Sequence, residues 1–225
     1  MNRMMQIAHR GDSDAYGDNN IASFLSAVRN QYDMVELDVQ LCKSGEVVVH
    51  HDIFIKDDFI CNYTLSELRT FNVITLDDFL ANVSVNDIRI FLDIKGSEDV
   101  IYTIIEILVE NFTADQMQRI YVSSFNNQII RPLVASKLPV HIGFTTYNSF
   151  AEKDWRWLTQ HCDFVCVHWT TLDKDTIRML RENLIVFVYT CENDIIRRHI
   201  QQYHVDGIVT NYLLWTQEKL RDTNV

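Results

Sequence analysis

Two pairs of charged residues, each two positions apart, interrupt otherwise apolar stretches of the chain. They are Glu36 with Asp38, and Asp93 with Lys95. Side chains of a β-strand alternate between its faces, so the members of each pair point the same way. Two neighbouring carboxylates repel each other unless a cation joins them. Their oxygens suit Mg²⁺, Ca²⁺ or Mn²⁺ rather than Zn²⁺. The spacing favours one divalent cation on Glu36 and Asp38, with Asp93 as a candidate third ligand. The alternative is that both pairs are solvated strand positions.

Two histidines and an arginine follow other apolar stretches. His9 is followed directly by Arg10, and His51 follows a run of valines. An imidazole titrates near neutral pH, so one histidine can accept a proton while the other donates one. Arg10 can hold two phosphate oxygens, and Lys95 can neutralise an anionic oxygen. These residue types together indicate metal-assisted phosphoryl chemistry, although either histidine alone could be an ordinary hydrogen-bonded residue.

Eight short runs rich in β-branched residues alternate with amphipathic stretches. The predicted strands are Met5–His9, Met34–Gln40, Arg89–Lys95, Ile120–Phe125, Val140–Thr146, Phe164–Trp169, Ile185–Thr190 and Gly207–Asn211. The predicted helices are Asn19–Asn30, Leu76–Asn82, Asp99–Asn111, Gln128–Lys137, Ala151–Gln160, Lys174–Glu182, Asp194–Tyr203 and Leu213–Arg221. Alternating strands and helices predict a parallel sheet. Eight units favour an α/β (β/α)₈ TIM barrel over an open doubly wound sheet, and a barrel carries its functional side chains at the carboxyl ends of the strands.

The chain length of 225 residues fits one compact barrel, so we expect a single domain over residues 1–225. Only 2 prolines and 6 glycines are present, which leaves no linker for a second domain. One segment breaks the alternation of strands and helices after the second strand. We expect it to form a small insertion over residues 43–74, beginning with a further β run at Glu46–His51 and lying over the mouth of the barrel.

The charge balance restricts the partners. With 31 acidic and 20 basic residues the formal net charge is −11, so nucleic acid is an unfavourable partner and a small-molecule substrate is expected. The sequence contains no apolar stretch of ~18 residues, so no transmembrane segment is expected. The first residues lack the apolar core of a signal peptide, and the cysteines are scattered, which favours a cytoplasmic location. The sequence makes no prediction of oligomeric state.

The order of these motifs resembles the opening signature of the glycerophosphodiester phosphodiesterase family. The matching residues are Ala8-His9-Arg10-Gly11, Asn19, Phe24, Ala27, Val35-Glu36-Leu37-Asp38-Val39, Val48-Val49 and His51-Asp52. Weaker similarity continues at Leu76 to Leu80, Leu92-Asp93-Ile94-Lys95, Val122-Ser123-Ser124-Phe125 and Asp206-Gly207-Ile208-Val209-Thr210. The resemblance therefore spans nearly the whole chain.

The resemblance implies a TIM barrel that uses a divalent metal to hydrolyse glycerophosphodiesters to glycerol 3-phosphate and an alcohol. Carried over by position, it implies four groups of site residues: metal ligands Glu36, Asp38 and Asp93; general acid and base His9 and His51; phosphate-binding Arg10 and Lys95; and glycerol-binding Tyr189.

Several positions depart from the family's pattern. Gly17-Asp18 stands for Pro-Glu, Asp93 for the usual Glu, Tyr189 for Trp, Glu192 for Asn, and Asn211 for Asp. These differences bear on substrate choice and rate more than on the fold, because both histidines and the first two metal ligands are present.

Two other functions remain open at this point. A phospholipase D-like or phosphoinositide-cleaving lipid phosphodiesterase would need an apolar surface at the mouth, for which the insertion offers Phe54, Ile55, Phe59 and Ile60. We expect these four residues to form a lid packed on the barrel instead. A non-catalytic module that binds a metal or a phosphodiester is suggested by Asp93, Tyr189 and Glu192, whereas the two histidines argue against it.

Overall fold

The computed structural model describes residues 3–149 and 155–214. Its strands are β1 Met5–Ala8, β2 Met34–Leu41, β3 Val47–Val49, β4 Phe54–Ile55, β5 Asp58–Phe59, β6 Ile74–Thr75, β7 Arg89–Ile94, β8 Ile120–Ser124, β9 His141–Thr146, β10 Phe164–His168, β11 Ile185–Cys191 and β12 Gly207–Thr210. Its α-helices are α1 Ser13–Tyr16, α2 Ile21–Arg29, α3 Leu65–Arg69, α4 Leu76–Asn82, α5 Val100–Asn111, α6 Ala114–Met117, α7 Asn127–Ser136, α8 Arg156–His161, α9 Lys174–Leu180 and α10 Asp194–Ile200.

Eight of these strands close into a parallel barrel. Around the barrel the order is β1, β12, β11, β10, β9, β8, β7 and β2, and β2 pairs again with β1. Neighbouring barrel strands are parallel because a helix or a longer excursion returns the chain to the same end before each new strand. The predicted (β/α)₈ barrel is confirmed, and each predicted strand end lies within one residue of the observed end.

The predicted helices are confirmed wherever the structure describes them, except that Leu213 and Leu214, the described start of the last one, are not helical. Leu76–Asn82 is observed with its predicted bounds, and the second part of Ala151–Gln160 is α8. The first part of that prediction, and most of Leu213–Arg221, lie outside the described residues. Among the helices within 3–149 and 155–214, none is long and apolar enough to cross a membrane.

The segment after β2 forms a small unit attached to the carboxyl end of that strand. β3 pairs with β2 in the antiparallel direction, and β6 pairs with β3. The unit has its own apolar core, made of Cys42, Val48, Ile60, Leu68 and Val73. The four residues expected to pack on the barrel as a lid are divided: Ile60 is buried in the core of the insertion itself, whereas Phe54 and Phe59 are 55% and 51% exposed. Ile55 packs against the same core.

The interior of the barrel is filled by large side chains from the strands. They are Ile7, Met34, Phe91, Tyr121, Phe164, Cys166, Phe187 and Val209. An eight-stranded barrel leaves room for side chains only, so large rings need small neighbours. Gly143 supplies one such place, because a Cβ there would collide with the Phe164 ring. Gly207 supplies another, because a Cβ there would lie 2.8 Å from the Phe187 ring.

Replacing Gly143 by Ala should lower the free energy of unfolding by about 1–3 kcal/mol, since an added methyl in a filled interior forces the Phe164 ring away from its place. Equilibrium unfolding in urea measures the loss. The same replacement in a Phe164→Leu background should cost less, because the ring is gone. An equal cost in both backgrounds would contradict the packing explanation.

Candidate active site

A cavity opens at the carboxyl ends of the barrel strands, with an empty volume of about 430 Å³. The side chains expected from the sequence all line it: His9, Arg10, Glu36, Asp38, His51, Asp93, Lys95 and Tyr189. The rest of its wall consists of Phe91, Phe125, Thr145, Tyr147, Cys166, Thr190 and Val209. Three of these, Phe91, Cys166 and Val209, also belong to the barrel interior, so the packed interior forms the floor of the cavity.

Three carboxylates converge at the centre of this cavity. Glu36 and Asp38 lie on one face of β2, and the register of β2 with β7 places Asp93 beside Asp38. One oxygen from each residue lies within 4.8 Å of the oxygens from the other two, and all three residues are buried. The local spacing within β2 and the pairing of two neighbouring strands together produce the cluster.

Burial and mutual repulsion make this cluster electrostatically unfavourable. Burial raises the pKa of Glu36, and the charges of Asp38 and Asp93 raise it further. Burial also raises the pKa of Asp93. For Asp38, burial acts in the same direction, but Lys95 and Arg10 outweigh it and lower the pKa. The carboxylates thus depend on nearby positive charge to remain ionised together.

A hard divalent cation fits this set of ligands. The donors are carboxylate oxygens, which Mg²⁺, Ca²⁺ and Mn²⁺ prefer. Lys95 already contributes one positive charge, with its Nζ 2.6 Å from Asp93 Oδ2 and 3.3 Å from Asp38 Oδ1. Two further charges from an ion would relieve the repulsion that raises the pKa of Glu36. The residues present therefore match a site for one such ion.

The turn after β1 supports the cluster from one side. Arg10 and Gly11 both have positive φ, 57° and 83°, and a Cβ on Gly11 would collide with Ser23. This turn aims the backbone N–H of Arg10 at Glu36 Oε2, to which it donates at 2.8 Å. Glycine is needed at position 11 because another side chain would have both an unfavourable φ and no space.

Two polar residues that were not among the predicted site residues hold the carboxylates of Asp38 and Asp93 in place. Asn19 donates from Nδ2 to Asp38 Oδ2 at 2.9 Å. The Ser123 hydroxyl donates to Asp93 Oδ1 at 3.2 Å. Asn19 belongs to the motif that carries the family resemblance, but its role as a support for Asp38 is visible only in the structure. Ser123 could have been suspected as a polar residue at the end of an apolar strand.

Arg10 and Lys95 present positive charge to the cavity. Arg10 Nε lies 3.2 Å from Asp38 Oδ2, and its Nη1 donates to Asp18 Oδ2 at 2.6 Å. Lys95 is held by its two carboxylates and by the Phe125 ring, whose centroid is 4.7 Å from Nζ. Because these contacts hold both side chains in place, an anion in the cavity would meet two positioned cations.

The antiparallel strand β3 brings His51 to the cavity. Val49 pairs with Val39, so the chain beyond it runs back along β2, and His50 N donates to Asp38 O at 3.0 Å. His51 Nδ1 lies 2.7 Å from Asp52 Oδ1. The carboxylate oxygen can only accept, so Nδ1 carries the hydrogen and Nε2 is left for the cavity.

His9 enters the cavity from β1 with a different partner. Its Nδ1 lies 2.5 Å from Asn211 Oδ1, an amide oxygen that accepts. Burial lowers the pKa of His9 to about 4, and the Arg10 charge contributes to the lowering. Asn211 is the position at which the sequence departs from the family's Asp. An uncharged partner therefore contacts His9 in this chain.

The metal site leads to a thermal prediction. After chelation, adding Mg²⁺, Ca²⁺ or Mn²⁺ at 100 times its Kd should raise Tm by roughly 5–10 °C, because the ion binds only the folded cluster. Glu36→Gln should remove most of this shift, as measured by differential scanning calorimetry. Glu106→Gln, on the exposed face of α5, should keep it. A full shift in Glu36→Gln would show that the ion binds elsewhere.

The partner of His9 leads to a prediction about its titration. Asn211→Asp should raise the pKa of His9 above about 4, since a carboxylate beside Nδ1 stabilises the imidazolium. NMR titration of the histidine ring protons measures the change. Asn183→Asp, at an exposed position before β11, should leave the pKa of His9 where it is. An unchanged or lower pKa in Asn211→Asp would contradict the contact.

Comparisons with known proteins agree with this geometry. The model of the glycerophosphoryl diester phosphodiesterase family matches residues 9–214. A Bacillus subtilis protein provisionally named a glycerophosphodiester phosphodiesterase is 27% identical over 93% of this chain and 95% of its own length.

Solved structures show the same fold. A glycerophosphodiester phosphodiesterase from Thermotoga maritima has a TM-score of 0.75 and 24% identity, covering 94% of this chain and 96% of that one. An Oleispira antarctica phosphodiesterase, solved with its product sn-glycerol-3-phosphate, has a TM-score of 0.83 and 20% identity, covering 98% and 97%. Since the family model covers most of the sequence, the chain belongs to the glycerophosphoryl diester phosphodiesterase family of phosphoric diester hydrolases.

Proposed function

We propose that this enzyme hydrolyses a glycerophosphodiester to glycerol 3-phosphate and an alcohol, with one divalent cation held by Glu36, Asp38 and Asp93. The observation that carries the proposal is the convergence of three carboxylates, two histidines and two cationic side chains on one cavity. The relative from Oleispira antarctica holds sn-glycerol-3-phosphate, which would be the shared product. Mg²⁺, Ca²⁺ and Mn²⁺ all suit the oxygen donors.

The phosphate lies between Arg10 and Lys95 in this proposal. Both side chains are already oriented by carboxylates, so little rearrangement is needed when the phosphate binds. Their charges offset the negative charge that develops on the phosphate oxygens in the transition state. The cation, when bound, supplies Lewis-acid polarisation of the phosphate.

The two histidines move the protons. Burial keeps His9 neutral at pH 7, so its Nε2 can accept a proton. We therefore assign His9 as the general base that accepts the proton of the attacking oxygen. We assign to His51 the donation of a proton from Nε2 to the departing alkoxide, while Asp52 holds the ring through Nδ1. The attacking oxygen belongs either to water or to the glycerol 2-hydroxyl of the substrate.

Tyr189 provides the surface for the glycerol moiety. Its ring lines the cavity at the end of β11, with the Tyr147 and Phe125 rings 5.5 and 6.0 Å away. An aromatic face packs against the carbon skeleton of glycerol, as the family's tryptophan would.

Exposed apolar residues of the insertion favour a second candidate, a phospholipase D-like or phosphoinositide-cleaving lipid phosphodiesterase on the same barrel. Phe54 and Phe59 pair across the β4–β5 hairpin and are about half exposed. Exposed aromatic pairs suit an acyl chain or a membrane surface. The net charge of −11 opposes binding to an anionic bilayer, so the soluble diester remains the first candidate.

A panel of glycerophosphodiesters and lysophospholipids tests the proposal. Glycerol 3-phosphate should be released from the soluble diesters, the release should stop on chelation, and one of the three ions should restore it. His51→Ala should lower kcat by ~10²–10⁴-fold with folding retained, because it removes a proton-transfer group and not part of the core. Circular dichroism checks the fold.

His204→Ala is the matched control, since His204 is an exposed histidine outside this cavity. It should keep full activity. Activity retained by His51→Ala would refute the role of His51. Cleavage of lysophospholipids alone would favour the second candidate. No cleavage by a metal-loaded enzyme would favour a barrel that binds without turnover.

A further inference from the structure

Aromatic side chains cover one side of the cavity, at the ends of four consecutive strands. This aromatic wall consists of Phe125, Tyr147 and Tyr189, which line the cavity, and of His168, which contacts both tyrosines from beyond the lining. The Tyr147 ring stacks on Phe125 with centroids 4.9 Å apart, and it lies 5.5 Å from both His168 and Tyr189. Tyr147 is therefore the centre of the wall, and it remains 59% exposed. Ring surface on this side is accessible from the mouth of the barrel.

One ring of the aromatic wall already contacts a cation. The Lys95 ammonium lies 4.7 Å from the Phe125 centroid, within the range of a cation–π contact. Asp93 and Asp38 contact the same ammonium at 2.6 and 3.3 Å, so most of its charge is neutralised locally. Lys95 therefore repels a second cation at Tyr147 only weakly. The faces of the aromatic rings attract such a cation.

A carboxylate stands at the edge of the aromatic wall. Glu192 directly follows β11, and Tyr189 of that strand pairs with His168 of β10, so Glu192 stands at the same end of the barrel as the aromatic wall. Burial lowers the pKa of His168, and the charge of Glu192 opposes this change. His168 Nδ1 also lies 2.7 Å from Thr170 Oγ1. Nδ1 also accepts from the Thr170 backbone N–H at 3.4 Å, so the ring is held by its own loop, and the Glu192 carboxylate is exposed. Ring faces and a carboxylate together make this side of the cavity favourable for positive charge.

We propose that Tyr147 and His168 of the aromatic wall, together with Glu192, form a subsite for a quaternary ammonium group on the leaving alcohol, next to the Tyr189 ring that takes the glycerol arm. The inference rests on the proposed function, because it assigns the second arm of the diester whose glycerol arm lies on Tyr189. A quaternary ammonium group is attracted electrostatically by both the ring faces and the carboxylate. A neutral alcohol lacks both attractions. A zwitterionic diester also meets less repulsion than an anionic one from a protein of net charge −11.

Two esters that differ only in charge test the subsite. One is glycerophosphocholine, and the other is the 3,3-dimethylbutyl ester of glycerol 3-phosphate, in which carbon replaces nitrogen. The enzyme should favour the charged ester roughly ten-fold in kcat/KM, as expected for a partly desolvated cation–π contact. Tyr147→Leu and Glu192→Gln should each lower this ratio toward one. A salt titration should weaken the Glu192 contribution more than that of Tyr147.

Matched controls exist on α5. Tyr102→Leu and Glu110→Gln make the same changes at exposed positions of that helix, and Tyr102 is 57% exposed against 59% for Tyr147. Both controls should keep the ratio of the unmodified enzyme. A loss of the ratio in the controls would show that the effect is not specific to the aromatic wall, and would overturn the proposal.

These experiments distinguish failure of the ammonium subsite from failure of the proposed hydrolysis. Equal kcat/KM for the two esters would overturn the subsite while the proposed function stands. If neither ester is cleaved, the proposed function fails, and binding of tetramethylammonium followed by NMR decides the subsite. Saturable binding that Tyr147→Leu weakens would support it. No binding, or binding that Tyr147→Leu leaves unchanged, would overturn it.

Discussion

The repulsion among three buried carboxylates is the constraint on which the rest of the site depends. Glu36, Asp38 and Asp93 lie in the mouth of a barrel whose walls exclude most water, so each charge raises the cost of the others. Lys95 and Arg10 contribute positive charge from the same strand ends. A divalent cation would complete this balance, and the proposed position of the phosphate lies among the same charged groups.

The fold supports this arrangement with few groups. A left-handed turn at Arg10 and Gly11 aims a backbone N–H at Glu36, and Asn19 donates to Asp38. The β2–β3 hairpin returns the chain so that His51 lies beside the same strand. Below the site, aromatic side chains fill the barrel and form a rigid floor. Charges that are held in place stabilise the charge that develops in a transition state better than mobile charges do, because they need not reorient during the reaction.

The structure gives a physical meaning to two departures from the family pattern. Asn211 is the partner of His9, so the carboxylate expected there is replaced by an amide that adds no negative charge. Glu192 directly follows β11 at the mouth of the barrel, and its charge acts on His168 of the aromatic wall. A carboxylate at this position would oppose an anionic group of the substrate if it faced that group. Its position beside aromatic rings favours a cationic group at that edge of the cavity instead.

The sequence by itself determined the local features. The alternation of apolar runs predicted eight strands and their order, because periodicity is a property of the chain alone. The same alternation placed Glu36 and Asp38 on one face of a strand. Only the tertiary structure decided the rest: Asp93 meets Asp38 through the register of two strands, and His9 meets Asn211 across 202 positions. Register follows from barrel closure and packing, and pKa values follow from burial, neither of which local spacing encodes.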